Sequence, residues 1–479
     1  MELHELNFTR KFSLNLYKNL TLRLGEMSFH KDFVHTHRGD PYPILEESTA
    51  EETIANDRWL VEGRVCRLLG QYFPYATYDM TIDRLEGKAA FLFRSPSAQT
   101  EIGLICLAGV LSMVGNGEEI PLDEPFVPGM RLLVTARGGE FDLYTDTGRG
   151  IVWQKTFRCD GLADTKKRSV FLRTAAAVSL EGSAELSAVS FYLDCGISQA
   201  DIRPIRYENG QVMVENGRIY LTMSIRMQAQ TYQGIFSWIP GTAEFALTGA
   251  LFFDAGDDVW NADVASSILY HRAEQRWYIW GCAFSQGHIL GHAVAEGDVR
   301  FGVNVIDITP MEKMSADTPS DAFLGRQHDE DPDFFYDEQD GLWKMAICRI
   351  AGKDYQYHFY ESSQPFTGYR PVGHTTVPGA ETGGSFVRLE GKLYFVCGND
   401  YRLRANYRVY RWGDFDHPET LRCDYDDGGF RGWGTVIPVR LGTRTRIFWL
   451  TFDRHNGSDY NWSYGNLYGF EAEEYWRNI

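Results

Sequence analysis

Five times in the second half of the chain, an acidic or Gly/Ser-rich start leads into a short apolar run. A polar turn and an aromatic-rich run follow. The segments are ENGQVMVENGRIYLTMSIR from Glu208, ADVASSILYHRAEQRWYIWG from Ala262, EDPDFFYDEQDGLWKMAICR from Glu330, ETGGSFVRLEGKLYFVCG from Glu381 and GWGTVIPVRLGTRTRIFWLTFD from Gly432. Each reads as two strands joined by a Gly- or charge-bearing turn. Several strands per unit, at a spacing of about 50–70 residues, mark the blades of a propeller, here five. Within the third repeat DPDFFYD, WKMAICRI, YQYHFYES and YRPVGHT supply four strands, and the fourth repeats that plan. The fifth is a strand short, and its last strand is expected to come from upstream sequence, closing the ring. Innermost strands line a propeller's central funnel, and four of the five repeat starts carry a carboxylate.

Upstream the pattern changes. Residues 59–198 read as many short strands, among them GRVCRLL, YATYDMTID, KAAFLFRS, EIGLICLAG, MRLLVTARG and EFDLYTDT, with turn residues between and little helical period. This spacing predicts a β-sandwich. Residues 1–58 are mixed and charged and read as an N-terminal extension with one or two strands and a loop. The expected architecture is therefore all-β: extension 1–58, sandwich 59–198 and five-bladed propeller 199–479.

Composition narrows the classes of function. A chain of 479 residues that is 44% hydrophobic fills a large core and is long enough for two domains. With 47 basic and 65 acidic residues, its net charge of -18 disfavours nucleic acid and anionic membrane surfaces as partners. It leaves room for a local basic pocket. The eight cysteines are scattered, without CxxC pairs, and several fall in apolar runs such as MAICRI, which suits reduced buried thiols. The first 29 residues have no signal-peptide core and no window is apolar enough to span a bilayer, so a cytoplasmic location is expected. There is no phosphate-binding GxxxxGK[ST] loop, HExxH or GxSxG. No cofactor is expected; a structural metal ion in the funnel is compatible with the composition, but no metal-ligand spacing is present. The pattern does not bear on oligomeric state.

The most specific segment is HDEDPDFFYDEQDGLWKMAICR, from His328 to Arg349. A carboxylate directly before Pro opens a strand there, and Pro belongs at a strand's first residues. This opening resembles the Asp-Pro blade openings of five-bladed propeller glycoside hydrolases, the clan of the family 43 arabinanases and xylosidases and of the invertases. The Glu-Thr-Gly-Gly-Ser-Phe segment from Glu381 resembles the Gly-rich opening that carries the general acid in those families. The resemblance implies Asp263 as base or nucleophile, Asp331 as the group that tunes the acid, and Glu381 as the acid. It implies no particular sugar. Asp329 and Glu330 stand beside Asp331 and compete with it for its role.

The chemistry needs such a set. One protonated carboxyl must protonate the leaving oxygen, and an ionised one must activate water or attack the anomeric carbon. A third can raise the donor's pKa. Glu208, His328, Arg349 and Arg454 are candidate substrate contacts, with Arg431 and His455 beside them, since Arg suits bidentate recognition. Trp260 and Trp433 lie near blade starts, where a ring can stack on a sugar face or pack between blades. Two features depart from the clan: the sandwich precedes the propeller, and the first repeat opens on Glu208, although the clan's first catalytic aspartate commonly lies in the first blade. A sandwich placed first is similar to propeller hydrolases that remove acidic keto-sugars from pectin, and residues 59–198 resemble a concanavalin/laminin-G-like jelly roll. The expected function is an exo-acting glycoside hydrolase with a carbohydrate substrate. The alternatives are a glycoside phosphorylase on the same fold and a carbohydrate-binding protein without chemistry.

Overall fold

The computed structural model describes residues 2–29, 42–228, 231–287, 289–311, 328–351, 354–399, 406–423, 434–452 and 465–472. The chain divides into two compact units. One comprises residues 1–20, 195–257 and 261–479, and the other residues 21–194 and 258–260. Residues 1–58 are therefore not a separate extension. Their first part belongs to the propeller and the remainder to the second unit. No described helix is long and apolar enough to cross a membrane.

The first unit is a ring of five sheets. Their innermost strands are Ser198–Pro204 in blade I, Val264–His271 in blade II, Asp329–Asp337 in blade III, Glu381–Leu389 in blade IV and Thr435–Leu441 in blade V. Blade I opens at Ser198, so the repeat from Glu208 begins after its inner strand has ended, and GRIYLTMSIR is its second strand. Blades III and IV are plain four-stranded meanders. Neighbouring sheets bury both faces of each blade, which is why runs such as LWKMAICRI read as continuous rather than alternating. Leu269, Tyr278 and Trp280 of blade II share one apolar cluster with Phe334, Trp343 and Met345 of blade III. Similar clusters join blades III to IV and IV to V.

The ring closes with a strand from far upstream. Asn7–Leu14 runs antiparallel to Leu467–Ala472 as the fourth strand of blade V. Phe8 anchors it, 2% exposed, with its ring edge-on to Trp449 at 5.9 Å. Just ahead, the Glu2 carboxylate meets Lys392 and Tyr394 of blade IV.

The second unit has eleven strands in one continuous sheet. The strand Thr77–Arg94 pairs with Met130–Arg137 through its first part and with Gln99–Leu107 through its second. Tyr78 and Phe93 are fifteen positions apart on this strand, yet their rings lie 5.0 Å apart. A straight strand would separate them by about 50 Å, so the sheet folds back on itself. The crease is a row of glycines in register, Gly63, Gly182 and Gly87, with φ of +112°, +90° and +134°. A Cβ on Gly87 would stand 2.0 Å from the Glu181 carbonyl oxygen, so only glycine fits. The two halves enclose one core that includes Trp59, Phe91, Phe93, Leu132 and Phe141. Where two stacked sheets were expected, one creased sheet does the work.

Phe8→Ala should lower propeller stability by about 3–5 kcal/mol, because it empties a closed pocket. Denaturant unfolding followed by tryptophan fluorescence measures this. A loss below about 1 kcal/mol would mean that the ring holds without its upstream strand.

Candidate active site

The site grows from a backbone irregularity that four blades share. The pairing of the inner strand with the second strand slips between Ala200 and Arg203, Val264 and Ser267, Glu330 and Asp333, and Thr382 and Ser385. Each slip contains one left-handed residue: Asp201 (φ +55°), Ala265 (+57°), Asp331 (+49°) and Gly383 (+63°). These are β-bulges, which re-aim side chains and free N–H groups from the ladder. Left-handed backbone favours Gly and tolerates Asp, so the bulge position itself selects for a carboxylate in blades I and III.

The freed N–H groups are answered from the preceding blade. Ala265 N donates to Ser224 Oγ at 3.0 Å and Ser266 N to Gln233 Oε1 at 3.0 Å. Gly383 N donates to Asp331 Oδ2 at 2.9 Å and Gly384 N to the Tyr357 hydroxyl at 2.6 Å. In blade III the residue after the bulge is Pro332, which has no N–H to satisfy.

Counted from the bulges, the funnel carboxylates fall into layers. Two residues before the bulge stand Asp263, Asp329 and Glu381, all buried. Asp263 accepts from Ser285 N and Ser285 Oγ, both at 2.9 Å, which ties down the turn Phe284–Gln286. Arg349 grips Asp329 with two nitrogens, at 2.7 and 3.2 Å, and donates to the Tyr360 hydroxyl at 2.6 Å. Glu381 is wholly enclosed. Its Oε1 accepts from Arg408 at 2.7 Å and from Tyr410, and its Oε2 from Thr375.

At the bulges themselves, Asp201 Oδ2 accepts from Ser224 Oγ at 2.6 Å, and Asp331 Oδ2 from Thr382 Oγ1 at 2.7 Å as well as from Gly383 N. Burial, then the charge of Asp331, pushes the Asp201 carboxyl up to about 6, against the pull of Arg226, Ser224 and Arg203. Two residues deeper lies Asp333, fully buried, which pairs with Arg206 and accepts from Ser267 Oγ at 2.7 Å and Phe386 N at 2.7 Å. Arg203, at the same depth in blade I, donates to the Gly384 carbonyl of blade IV at 3.2 Å. Burial, with nearby carboxylates after it, drives the thiols of Cys282 and Cys348 far up, so both are neutral.

The expected site residues thus fare differently. Asp263, Asp331 and Glu381 all lie in innermost strands or directly before one, in blades II, III and IV. Asp331 is at a bulge, while Asp263 and Glu381 sit one layer above. His328 is buried at the entry of the blade III inner strand, beside Asp329. Arg349 is committed to Asp329 and Tyr360. Glu208 is not at a blade opening. It pairs with Arg272 at 2.6 Å, and its backbone bonds Tyr270 and Tyr336, at the far ends of the inner strands of blades II and III. The Asn-Gly turn that follows it marks that end of the ring. Trp260 belongs to the second unit, against Phe73 and Phe171 at 5.6 and 4.7 Å. Arg454, Arg431, His455 and Trp433 lie outside the described residues. Among the described residues no cluster of three or more His, Cys, Asp or Glu side chains is placed to hold a metal ion.

Sequence reasoning passed over Asp201, Arg203, Arg206 and Asp333. For Asp201 and Arg203 the signal was present in SQADIRP, where the two charges alternate inside a strand buried on both faces.

No protein-family profile matches this chain, and no curated protein does. Solved structures similar to it include the alpha-L-arabinofuranosidase PaAbf62A from Podospora anserina, 13% identical over 57% of this chain and 90% of that one, with a TM-score of 0.37. A family 117 glycoside hydrolase produced by the marine bacterium Zobellia galactanivorans is 10% identical over 57% and 84%, with a TM-score of 0.40. A thermostable family-43 glycoside hydrolase is 14% identical over 59% and 93%, with a TM-score of 0.38. At these values the likenesses carry no argument about activity. The five-bladed ring rests on the strand order itself.

The elevated Asp201 carboxyl has a sign that can be tested. The unfolded chain gives up this proton near 3.8 and the folded one near 6, so stability falls as pH rises through that window. The difference is at most about 3 kcal/mol. Asp201→Asn should flatten this decline and leave the variant more stable than wild type at pH 7. Unfolding midpoints from pH 4 to 8 read it out, and parallel curves would show that Asp201 carries no such penalty.

Proposed function

We propose that the chain is a glycoside hydrolase that cleaves an O-glycosyl bond in the propeller funnel. The observation that carries this reading is the pair of buried bulge aspartates, Asp201 of blade I and Asp331 of blade III. They influence each other electrostatically, and one of them keeps its proton to about pH 6. Glycosidic cleavage asks for one carboxyl that holds a proton and a second that is ionised. In this reading Asp201 protonates the leaving oxygen, and Asp331 activates water or attacks the anomeric carbon. Asp201 thereby supplies the first-blade aspartate that the repeat at Glu208 lacked. Asp329 and Glu381, each gripped by an arginine, and Asp263, tied to a turn, shape the walls. A single funnel suits attack at a chain end better than along a chain, so the enzyme is exo-acting on a polysaccharide or oligosaccharide.

One observation favours a second reading, a glycan-binding protein without chemistry. Hydrogen bonds already hold both oxygens of Asp263, Asp329 and Glu381, as in a site built for rigidity.

Product release from a panel of plant and bacterial glycans, including pectic fragments with acidic sugars, separates the two. Asp201→Asn and Asp331→Asn should each lower kcat/KM by at least about 10³-fold, with wild-type kcat falling as pH rises through about 6. Glu381→Gln should chiefly lower stability, because it leaves the buried Arg408 charge without a carboxylate. Full loss of turnover in a folded Glu381→Gln, with Asp201→Asn active, would return the acid to Glu381. Glycan binding without product from wild type would establish the binding reading.

A further inference from the structure

Asp263, Asp329 and Glu381 stand at one level of the funnel, but they are used differently. Asp329 and Glu381 hold arginines of their own blades. Asp263 holds a turn. Its Oδ1 accepts from Ser285 N and its Oδ2 from Ser285 Oγ, both at 2.9 Å. The carboxylate is buried, whereas Phe284, Ser285 and Gly287 are exposed. Gly287 ends the turn in left-handed backbone, with φ +94°. Taking a carboxylate out of water is costly, and here the buried group fixes the place of a surface turn.

What the turn carries is a ring. Among the described phenylalanines, tyrosines and tryptophans of the first unit, only Phe284 and Phe301 are exposed, Phe284 by 42%. Phe301 lies edge-on to Tyr220 at 5.6 Å, directly ahead of the outermost strand of blade I. Phe284 follows on the second strand of blade II, Arg276–Ala283, whose Cys282 pairs with Val264 at the start of the inner strand. Phe284 therefore stands at the end of blade II where the funnel carboxylates gather. A lone exposed apolar side chain needs no explanation in general. One whose turn is bound by both oxygens of a buried carboxylate does.

We infer that Phe284 is the platform for the sugar on the leaving-group side of the scissile bond, and that Asp263 is the positioning residue that holds the platform in place. In a funnel entered from the carboxylate end, the terminal sugar lies deepest and the next one toward the mouth. Asp263 precedes the bulge of its strand by two residues, a rise of about 7 Å. That puts the turn above the level of the bulge aspartates, where the second sugar would pass. The C–H face of a sugar packs on an aromatic face, and a ring on a fixed turn loses little freedom on binding. The naming of the subsite rests on the hydrolase reading, whereas contact between Phe284 and a saccharide does not need turnover.

The test uses the full chain and calorimetric titration with arabinotriose, xylotriose, galactotriose and trigalacturonic acid, beside the matching monosaccharides. Wild type should bind at least one trisaccharide more tightly than its monosaccharide. Phe284→Ala should weaken that trisaccharide about five- to tenfold and leave the monosaccharide unchanged, and Phe284→Trp should keep the affinity. Asp263→Asn tests the clamp. It should weaken the trisaccharide on its own but add nothing to Phe284→Ala, because both changes act through one ring. If Asp263→Asn fails to fold, Ser285→Ala takes its place, since it removes one of the two bonds from the surface side. Equal trisaccharide affinity in wild type and Phe284→Ala, or no trisaccharide bound by wild type, overturns the platform. Additive losses overturn the positioning role of Asp263. Hydrolysis is measured on the same proteins, where Phe284→Ala should raise KM and leave kcat within about twofold. Trisaccharide binding that depends on Phe284, with no turnover in wild type, keeps the platform and removes the hydrolase. Turnover with KM unmoved in Phe284→Ala keeps the hydrolase and removes the platform.

Discussion

The ring depends on one demand of the backbone: N–H groups released by the bulges of the innermost strands must find acceptors where little water reaches. An unmet buried N–H costs about as much as a lost hydrogen bond. Ser224 and Gln233 of blade I meet this demand for blade II, and Asp331 and Tyr357 of blade III meet it for blade IV. Tyr407 of blade IV serves Gly434, ahead of blade V, in the same way at 2.8 Å. Blades II, IV and V are thus completed by their predecessors. The Asp-Pro opening of blade III is the alternative solution, in which the donor is deleted rather than matched.

The same demand generates the chemistry of the funnel. A bulge residue must adopt left-handed backbone, and outside glycine the short carboxylates and amides tolerate this best. The position that terminates regular pairing is therefore also one where an aspartate sits comfortably and points inward. Asp331 does both tasks at once, accepting the Gly383 N–H of the next blade while raising the affinity of Asp201 for its proton. The surrounding charges are settled in pairs, so the field at the bulges comes from few groups.

Much of this was legible in the sequence. Period, strand count and the missing strand of the fifth repeat could be read from apolar runs and turns, because buried sheets leave long uninterrupted patterns. The carboxylates at the openings of blades II, III and IV were visible for the same reason. The start of the propeller near residue 199 was read correctly, but the opening of blade I was misread because the Glu208 repeat begins at the far end of the ring, where the Asn-Gly turn imitates a blade opening. That error hid Asp201, whose left-handed backbone has no local signature beyond a charge inside an apolar strand. The crease of the second unit was equally hidden: Gly63, Gly87 and Gly182 are distant in sequence, and only pairing brings them into one row. Which arginine meets which acid likewise depends on contacts between strands that no spacing rule encodes.

The path of the chain has a consequence for how the molecule is made. Leu20 and Cys195 meet through a backbone hydrogen bond of 2.9 Å from Cys195 N to the Leu20 carbonyl, and Lys18 N binds the Gly196 carbonyl at 2.7 Å. Everything between those two points, apart from three residues that return later, constitutes the other unit. The strand Asn7–Leu14 therefore lies far upstream of both its sheet partners, Arg422–Cys423 and Leu467–Ala472. The creased sheet lies within that interval and can fold as a unit. The backbone bonds of residues 18 and 20 to residues 195 and 196 belong to the first unit itself and close the gap there. For a ring whose seam joins segments this far apart in the chain, closure waits on the later of them.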